Sequence, residues 1–407
     1  MKKNVRLLVA ATLCMGLTQY GCRKDDDNND KSTQKVEIAG LFSLTGNWSS
    51  LGVNSKAAME LAANDVNLYF EEIGSEYRIS ATIFDTKLDT ALALKYLKEA
   101  DGKNIRFIVG PQSSAELASV KSYADDNEML VVSQGSTAGT LAIEKDNIFR
   151  FCPSDAIEGA AHAKSMYNSG VRALVTMARD DAGNKGLQQA VTKSFIALGG
   201  TVSTIAPYST ASTDYTSLVA EARTKAETLI SSHGGDAVGI YLSSFDECVD
   251  IFKAAWAHGT LANMQWYGSD GVALSNAIVA DSLAAAFASN THFFAPAFGL
   301  PYDAQSKWQP LSARIQGRTG VVPDAFALAT YDAVWVWALS MVSLPDYQQS
   351  SFAKIRANFI QQANSYYGAT GPTLLNNAGD REIGSFDYWG IVAEDGNYTW
   401  KLVGKSE

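Results

Sequence analysis

Four cysteines and four histidines in 407 residues leave little material for metal or redox chemistry. No two cysteines stand at CxxC spacing, the arrangement that metal and redox sites use. His162, His233, His258 and His292 are scattered, with no second ligand at metal-binding spacing. They read as surface or core residues, and neither a metal nor an organic cofactor is expected. Basic charge is also short. The net charge of −10 argues against a nucleic-acid partner, whose binding face should be basic. No internal apolar run approaches the roughly 20 residues of a membrane span. GxSxG, GxxxxGKS/T, HExxH and a glycine-rich dinucleotide turn after the first strand are all missing, so no catalytic residue is assigned. A triad assembled from distant residues stays open, and it would need a base beside its nucleophile.

What the chain does contain is core material: 46% of it is hydrophobic and 19% charged, enough for two lobes. Lys2, Lys3 and Arg6 precede an apolar stretch from Leu7 to Leu17, which is too short to span a bilayer and reads as an export signal over residues 1–21. Gly21-Cys22 resembles the lipobox of bacterial lipoproteins, with Gln19 standing where an aliphatic residue is usual. That resemblance implies lipidation at Cys22, and residues 22–35 form a charged, acidic tether. Its acidic run resembles a signal for the cell surface, so the expected location is the periplasm or cell surface, anchored to a bacterial membrane. Cys14 falls in the signal. Cys152 and Cys248 remain, in a compartment where a bridge is permitted, and two buried free thiols are the expected state.

The chain is organised around residues 107–140. Phe107 to Val109 is a short apolar run broken by Gly110-Pro111, and Ser113 and Ser114 sit where the next helix should begin. Met129 to Val132 is a second run, ended by Ser133-Gln134-Gly135-Ser136-Thr137. This is a βαβ unit with a hydroxyl-rich turn after each strand. In an open parallel sheet such turns lie at the carboxyl ends of the strands, where ligands bind. Hydroxyls and backbone N–H groups at a helix start can seat a carboxylate, although capping alone would also explain the serines.

Strand and helix alternate on both sides of this unit. Strands are expected at 36–46 (with its loop), 79–84, 148–151, 173–177, 202–208 and 237–242, and helices at 52–73, 89–102, 157–168, 187–198 and 215–231. "ARDDAGNKG" reads as a turn before the helix at 187. The last third is helical at 304–317, 326–342 and 352–366, with Tyr331, Trp335 and Trp337 as core aromatics. No repeat of fixed period appears. The fold class is therefore α/β, with two doubly wound, parallel-sheet lobes.

The pattern resembles the type I periplasmic-binding fold, specifically the branched-chain amino-acid and amide-binding proteins of ABC transporters. "IAGLFSLTGNWSSLG", "FIVGPQSSAE", "LVVSQGSTAGTL", "GSDGV" and "TGPTLLNNAGDR" carry the likeness in order. It implies a first lobe of residues 36–153 and 299–383, a second of 154–298 and 384–404, and a hinge of three crossings. It places the carboxylate-binding serine on Ser114 and the contacts of the next turn on Gly135 and Thr137. Ser113 and Ser136 stand beside them. The aromatic wall falls on Phe245, with Trp48 close to the position of the usual first-loop aromatic, and the ammonium acceptor on Asp270. Gly183 and Leu51 replace aromatics usual in the family, and no disulfide is possible where Lys87, Leu88, Gln112 and Ser113 stand. The implied function is capture of an amino acid or amide-like ligand by hinge closure and its delivery to a permease. A regulatory or scaffolding surface lipoprotein that binds a protein partner is the alternative, and it predicts a cleft filled with side chains.

Overall fold

A computed structural model describes residues 33–406. Cys14, Cys22, the export signal and most of the tether lie outside the described residues.

The first sheet is built from β1 (Gln34–Phe42), β2 (Tyr77–Asp85), β3 (Phe107–Val109), β4 (Leu130–Ser133) and β5 (Ile148–Arg150). Its order is β2-β1-β3-β4-β5, with every pair parallel. Three crossover helices connect it: α1 (Ser49–Glu72), α2 (Thr90–Gly102) and α3 (Ser114–Asp126). Strands β3 and β4 are buried along their whole length, as unbroken apolar runs covered on both faces should be. Asp89 caps α2, accepting from the N–H groups of Ala91 and Leu92. Gly110, at φ +94°, ends β3 where a Cβ would lie 2.2 Å from the Leu41 carbonyl oxygen, so only glycine fits.

The chain then crosses into α4 (Asp155–Asn168), β6 (Ala173–Ala178), α5 (Ala182–Ala197), β7 (Thr201–Thr204), α6 (Thr216–His233) and β8 (Val238–Ser243). It continues through α7 (Cys248–Trp256), the short α8 (Gly259–Ala262), β9 (Gln265–Gly268), α9 (Asn276–Ala280), α10 (Ser282–Asn290) and β10 (Phe294–Phe298). After a second crossing come α11 (Gln305–Thr319), α12 (Ala325–Ser343), α13 (Phe352–Ser365) and the two-residue strands β11 (Tyr367–Gly368) and β12 (Gly371–Pro372). A third crossing leads to the hairpin β13 (Phe386–Glu394) and β14 (Asn397–Lys405). The second sheet runs β14-β13-β10-β9-β8-β6-β7, parallel from β10 to β7 and closed by the antiparallel hairpin. Helices α1, α12 and α13 cover one face of the first sheet and α2 and α3 the other. The second sheet is likewise flanked by α6, α7 and α10 on one face and α4 and α5 on the other.

Several expectations need correction. Helix α5 begins at Ala182 and not at Leu187, because the Asp181 carboxylate accepts from the Asn184 N–H and caps it there. The segment read as a turn is thus the first turn of a helix despite its two glycines. Strand β7 stops at Thr204, short of Tyr208. The hairpin β13–β14 and helices α9 and α10 were not anticipated. Helix α12 is long and apolar enough by length and composition to cross a membrane, contrary to the statement that no internal run approaches a span. Here it is a core helix, buried at 14 positions including Trp337 and Asp332. Asp332 accepts from the N–H groups of Ala369 and Thr370. Tyr331 and Trp335 are partly buried against the same core.

Cys152 and Cys248 are both free and buried, as expected. Arg150, at the end of β5, forms a buried two-point ion pair with Asp380 on the returning segment and donates to the Ala138 carbonyl oxygen at 2.6 Å. This pair ties the end of the first sheet to the segment that leads back to the second.

Candidate functional site

The carboxyl ends of both sheets meet in a narrow cleft lined by Trp48, Ser113, Ser114, Gly135, Thr137, Gly183, Asn184, Leu187, Phe245 and Asp270. Each of these positions follows from local structure. Ser113 is the N-cap of α3 and completes a capping box: its hydroxyl donates to Glu116 Oε2 at 2.6 Å and accepts from the Glu116 N–H. Its hydroxyl is therefore committed to the helix. Ser114, one residue on, faces the cavity. Its oxygen accepts from the Ser136 hydroxyl at 3.0 Å and the Ala138 N–H at 3.2 Å, which leaves the Ser114 hydrogen for a ligand. Ser136 itself is buried behind Ser114. Gly135 lies under Trp48 and Leu51, where a Cβ would come within 3.2 Å of both side chains.

The second lobe brings the start of α5 against Ser114. A Cβ at Gly183 would lie 3.3 Å from the Ser114 oxygen, so a large side chain there would press the lobes apart. The N-terminal ends of α3 and α5 thus converge on one end of the cavity, where an anion is favoured. Asp270 stands in the turn after β9 and supplies the negative end. Donors at one end and a carboxyl at the other match a zwitterion.

Direct contacts hold the cleft shut. The Trp48 ring stacks on Phe245 with centroids 4.7 Å apart. The Trp48 N–H donates to Asp246 Oδ2 at 2.7 Å, Asn47 Nδ2 to Glu247 Oε2 at 3.0 Å, and the Asn276 N–H to the Ser50 hydroxyl at 3.0 Å. Trp48 occupies the left-handed region at φ 59°, which is rare for a bulky residue and sustained here by these partners. Glu247 also accepts from Tyr208 and pairs with Arg179, whose guanidinium lies over the Phe245 ring. The cavity left inside is about 20 Å³, room for a single water. An amino-acid-sized ligand can enter only if the lobes part.

Sequence reasoning named Ser113, Ser114, Gly135, Ser136, Thr137, Trp48, Phe245 and Asp270; seven of these line the cleft, and Ser136 lies behind Ser114. That reasoning missed Asn184, Leu187 and the latch residues Asn47, Asp246 and Glu247. The acidic pair directly after Phe245 was the available signal for the last two. Asp155 and Glu158, on the first turn of α4, were missed as well. Burial foremost raises the Asp155 carboxyl from 3.8 to about 7, and Thr137 and the Gly139 N–H offset this only in part. Asp270 and Glu158 are also raised, again by burial first and then by neighbouring carboxylates.

Comparisons with known proteins place the family and the fold. The family described as receptor family ligand binding region matches residues 54–394. An uncharacterised protein of Methanocaldococcus jannaschii, MJ1266, is 26% identical over 413 residues, covering 97% of this chain and 96% of its own. The fold is similar to that of the branched-chain amino-acid transporter substrate-binding protein LivJ of Streptococcus pneumoniae, solved with isoleucine (TM-score 0.73, 17% identity, 91% of this chain and 99% of that one). It is equally similar to the leucine-binding protein LivK of Thermotoga maritima (TM-score 0.73, 19% identity, 91% and 98%). A solute-binding protein of R. palustris in complex with benzoate gives a TM-score of 0.69 at 17% identity, covering 91% and 96%.

The raised carboxyls predict a pH dependence of stability. The folded state holds a proton on Asp155 that the unfolded chain releases near 3.8, so stability falls as pH rises from there to about 7. Thermal unfolding should give a lower midpoint at pH 8 than at pH 5, and Asp155→Asn should narrow that gap; an unchanged gap in the variant would remove Asp155 as its source. With a family match over residues 54–394, most of its length, the chain belongs to the receptor family ligand binding region family.

Proposed function

We propose that the protein is an extracytoplasmic solute-binding protein. It captures a small polar ligand, an amino acid or amide-like compound, between two lobes and delivers it to an ABC transporter permease. One observation carries the reading: Ser114 and the starts of α3 and α5 face Asp270 across a single cavity. A ligand bridging donors on one lobe and an acceptor on the other favours the closed form, because only closure supplies both sets of contacts. The ligands of LivJ, LivK and the benzoate-binding relative are small carboxylates, which supports the class. The lobes are taken as residues 36–153 with 299–383 and 154–298 with 384–404, hinged at the three crossings. The reading is of a binder and not an enzyme, in keeping with the substrate-binding proteins whose fold the chain shares. No metal or cofactor has a part in it.

A second reading has one observation in its favour. The cleft is nearly filled by Trp48 and Phe245, as a scaffolding lipoprotein that binds a protein partner would have it. A thermal-shift screen of residues 33–407 against amino acids, amides, short peptides and small carboxylates separates the two. A ligand present at 100 times its Kd adds about 2.7 kcal/mol to the folded state. A hit weakened by Ser114→Ala, and by about 1.5–3 kcal/mol in Asp270→Asn, is the expected result. Silence from a folded sample would favour the partner-binding reading, and an unchanged affinity in Asp270→Asn would remove Asp270 as the ammonium acceptor.

The proposed location is the periplasm or cell surface, with Cys22 lipidated. Cys22→Ser should move the protein from the detergent phase to the aqueous phase in a partition assay; retention in the detergent phase would rule out this anchor.

A further inference from the structure

The cation end of the cleft holds more acid than one ligand ammonium requires. Glu158 lies behind Asp270, and its Oε1 accepts the Asp270 N–H at 3.3 Å. Its other oxygen is buried with no hydrogen-bond partner, in a residue only 1% exposed. Asp155, on the same helix turn, adds a further like charge. The groups facing this pair from the neighbouring elements do not neutralise it. Asp155 comes from α4, Asp324 from the start of α12, Cys152 from the crossing, Tyr241 from β8 and Tyr388 from β13. Arg150 lies on the Asp155 side but is committed to Asp380 and the Ala138 carbonyl.

A glutamine at position 158 would accept the Asp270 N–H equally well and would add no like charge. The acid therefore raises the cost of burial with no structural gain, and such a placement points to function. The two side chains also meet each other directly, and two carboxyls in contact in a buried site do not both ionise but titrate as a pair.

We propose that Asp270 and Glu158 share one proton when no ligand is bound, and that a ligand's ammonium displaces it, making Glu158 a specificity-determining residue for the cationic group. The displaced proton passes to the buffer, and an ammonium N–H takes its place against Asp270. This inference rests on the solute-binding reading above and specifies its cation end. Uptake then depends on pH: below the pair's titration range, affinity rises with pH, and above it affinity levels off.

Methylammonium is a suitable probe, because it carries the cationic group alone, with no carboxylate. Wild-type affinity, read from carboxyl 13C shifts, should rise by about tenfold per pH unit on the acid side of the pair's titration, the slope of a single released proton. In Glu158→Gln, which removes the like charge beside Asp270, this rise should end at a lower pH. The same rise over the same pH range in both proteins would overturn the proposal. A 13C titration of wild-type Asp and Glu carboxyls needs neither variant nor ligand: two coupled steps for this pair are expected, and two independent ordinary carboxyls would overturn the proposal. If the coupled titration is present but no cation or amino acid binds at any pH, the solute-binding reading fails and proton displacement falls with it. Binding without a pH slope defeats this inference alone.

Discussion

The stack of Trp48 on Phe245, with the Trp48 N–H held by Asp246, is the contact on which the site depends. It joins the loop after β1 to the turn after β8 and so brings together the carboxyl ends of two separate sheets. Each sheet alone offers half a site: hydroxyls and the start of α3 on one, carboxyls and the start of α5 on the other. Apposition makes a cavity with one end for each sign of charge. The cost is a left-handed tryptophan and a set of buried acids, sustained by the hydrogen bonds and ring contacts of the closed form.

The same contacts explain why the cavity is small. Gly183 permits the start of α5 to approach Ser114, while Trp48, Leu51 and Phe245 fill the space above. Entry of anything larger than water must break the contacts of Asn47 and Trp48 with the second lobe, so their strength is set against ligand affinity. A latch that holds firmly without ligand lowers apparent affinity, because the open, binding-competent state is then a minor one.

Much of the architecture was legible in the chain. The βαβ unit at 107–140 announced itself by two apolar runs, each followed by hydroxyls, and Ser114 could be placed because a helix start must follow Gly110-Pro111. The start of α5 was not legible, since Gly183 and Gly186 suggest a turn while Asp181 caps a helix. The hairpin β13–β14 mixes aromatics with glycine and charge, and its apolar alternation is weak without the β10 edge on which it pairs. The roles of Asp246, Glu247 and Glu158 come from contacts made across long stretches of sequence, so the acidic pair after Phe245 was visible without its partners. Helix α12 shows the converse: its composition would suit a membrane, and only its packing against the first sheet identifies it as core.

The most direct test of this account is the distance between the lobes. Cys152 and Cys248 are buried, so spin labels at Glu99→Cys on α2 and Glu221→Cys on α6 would report lobe separation by pulsed dipolar spectroscopy. The account predicts a dominant short distance in the otherwise unaltered protein and a second, longer population when Asp246→Ala removes the acceptor for the Trp48 N–H. Identical distributions in the two proteins would contradict the claim that these contacts hold the cleft shut.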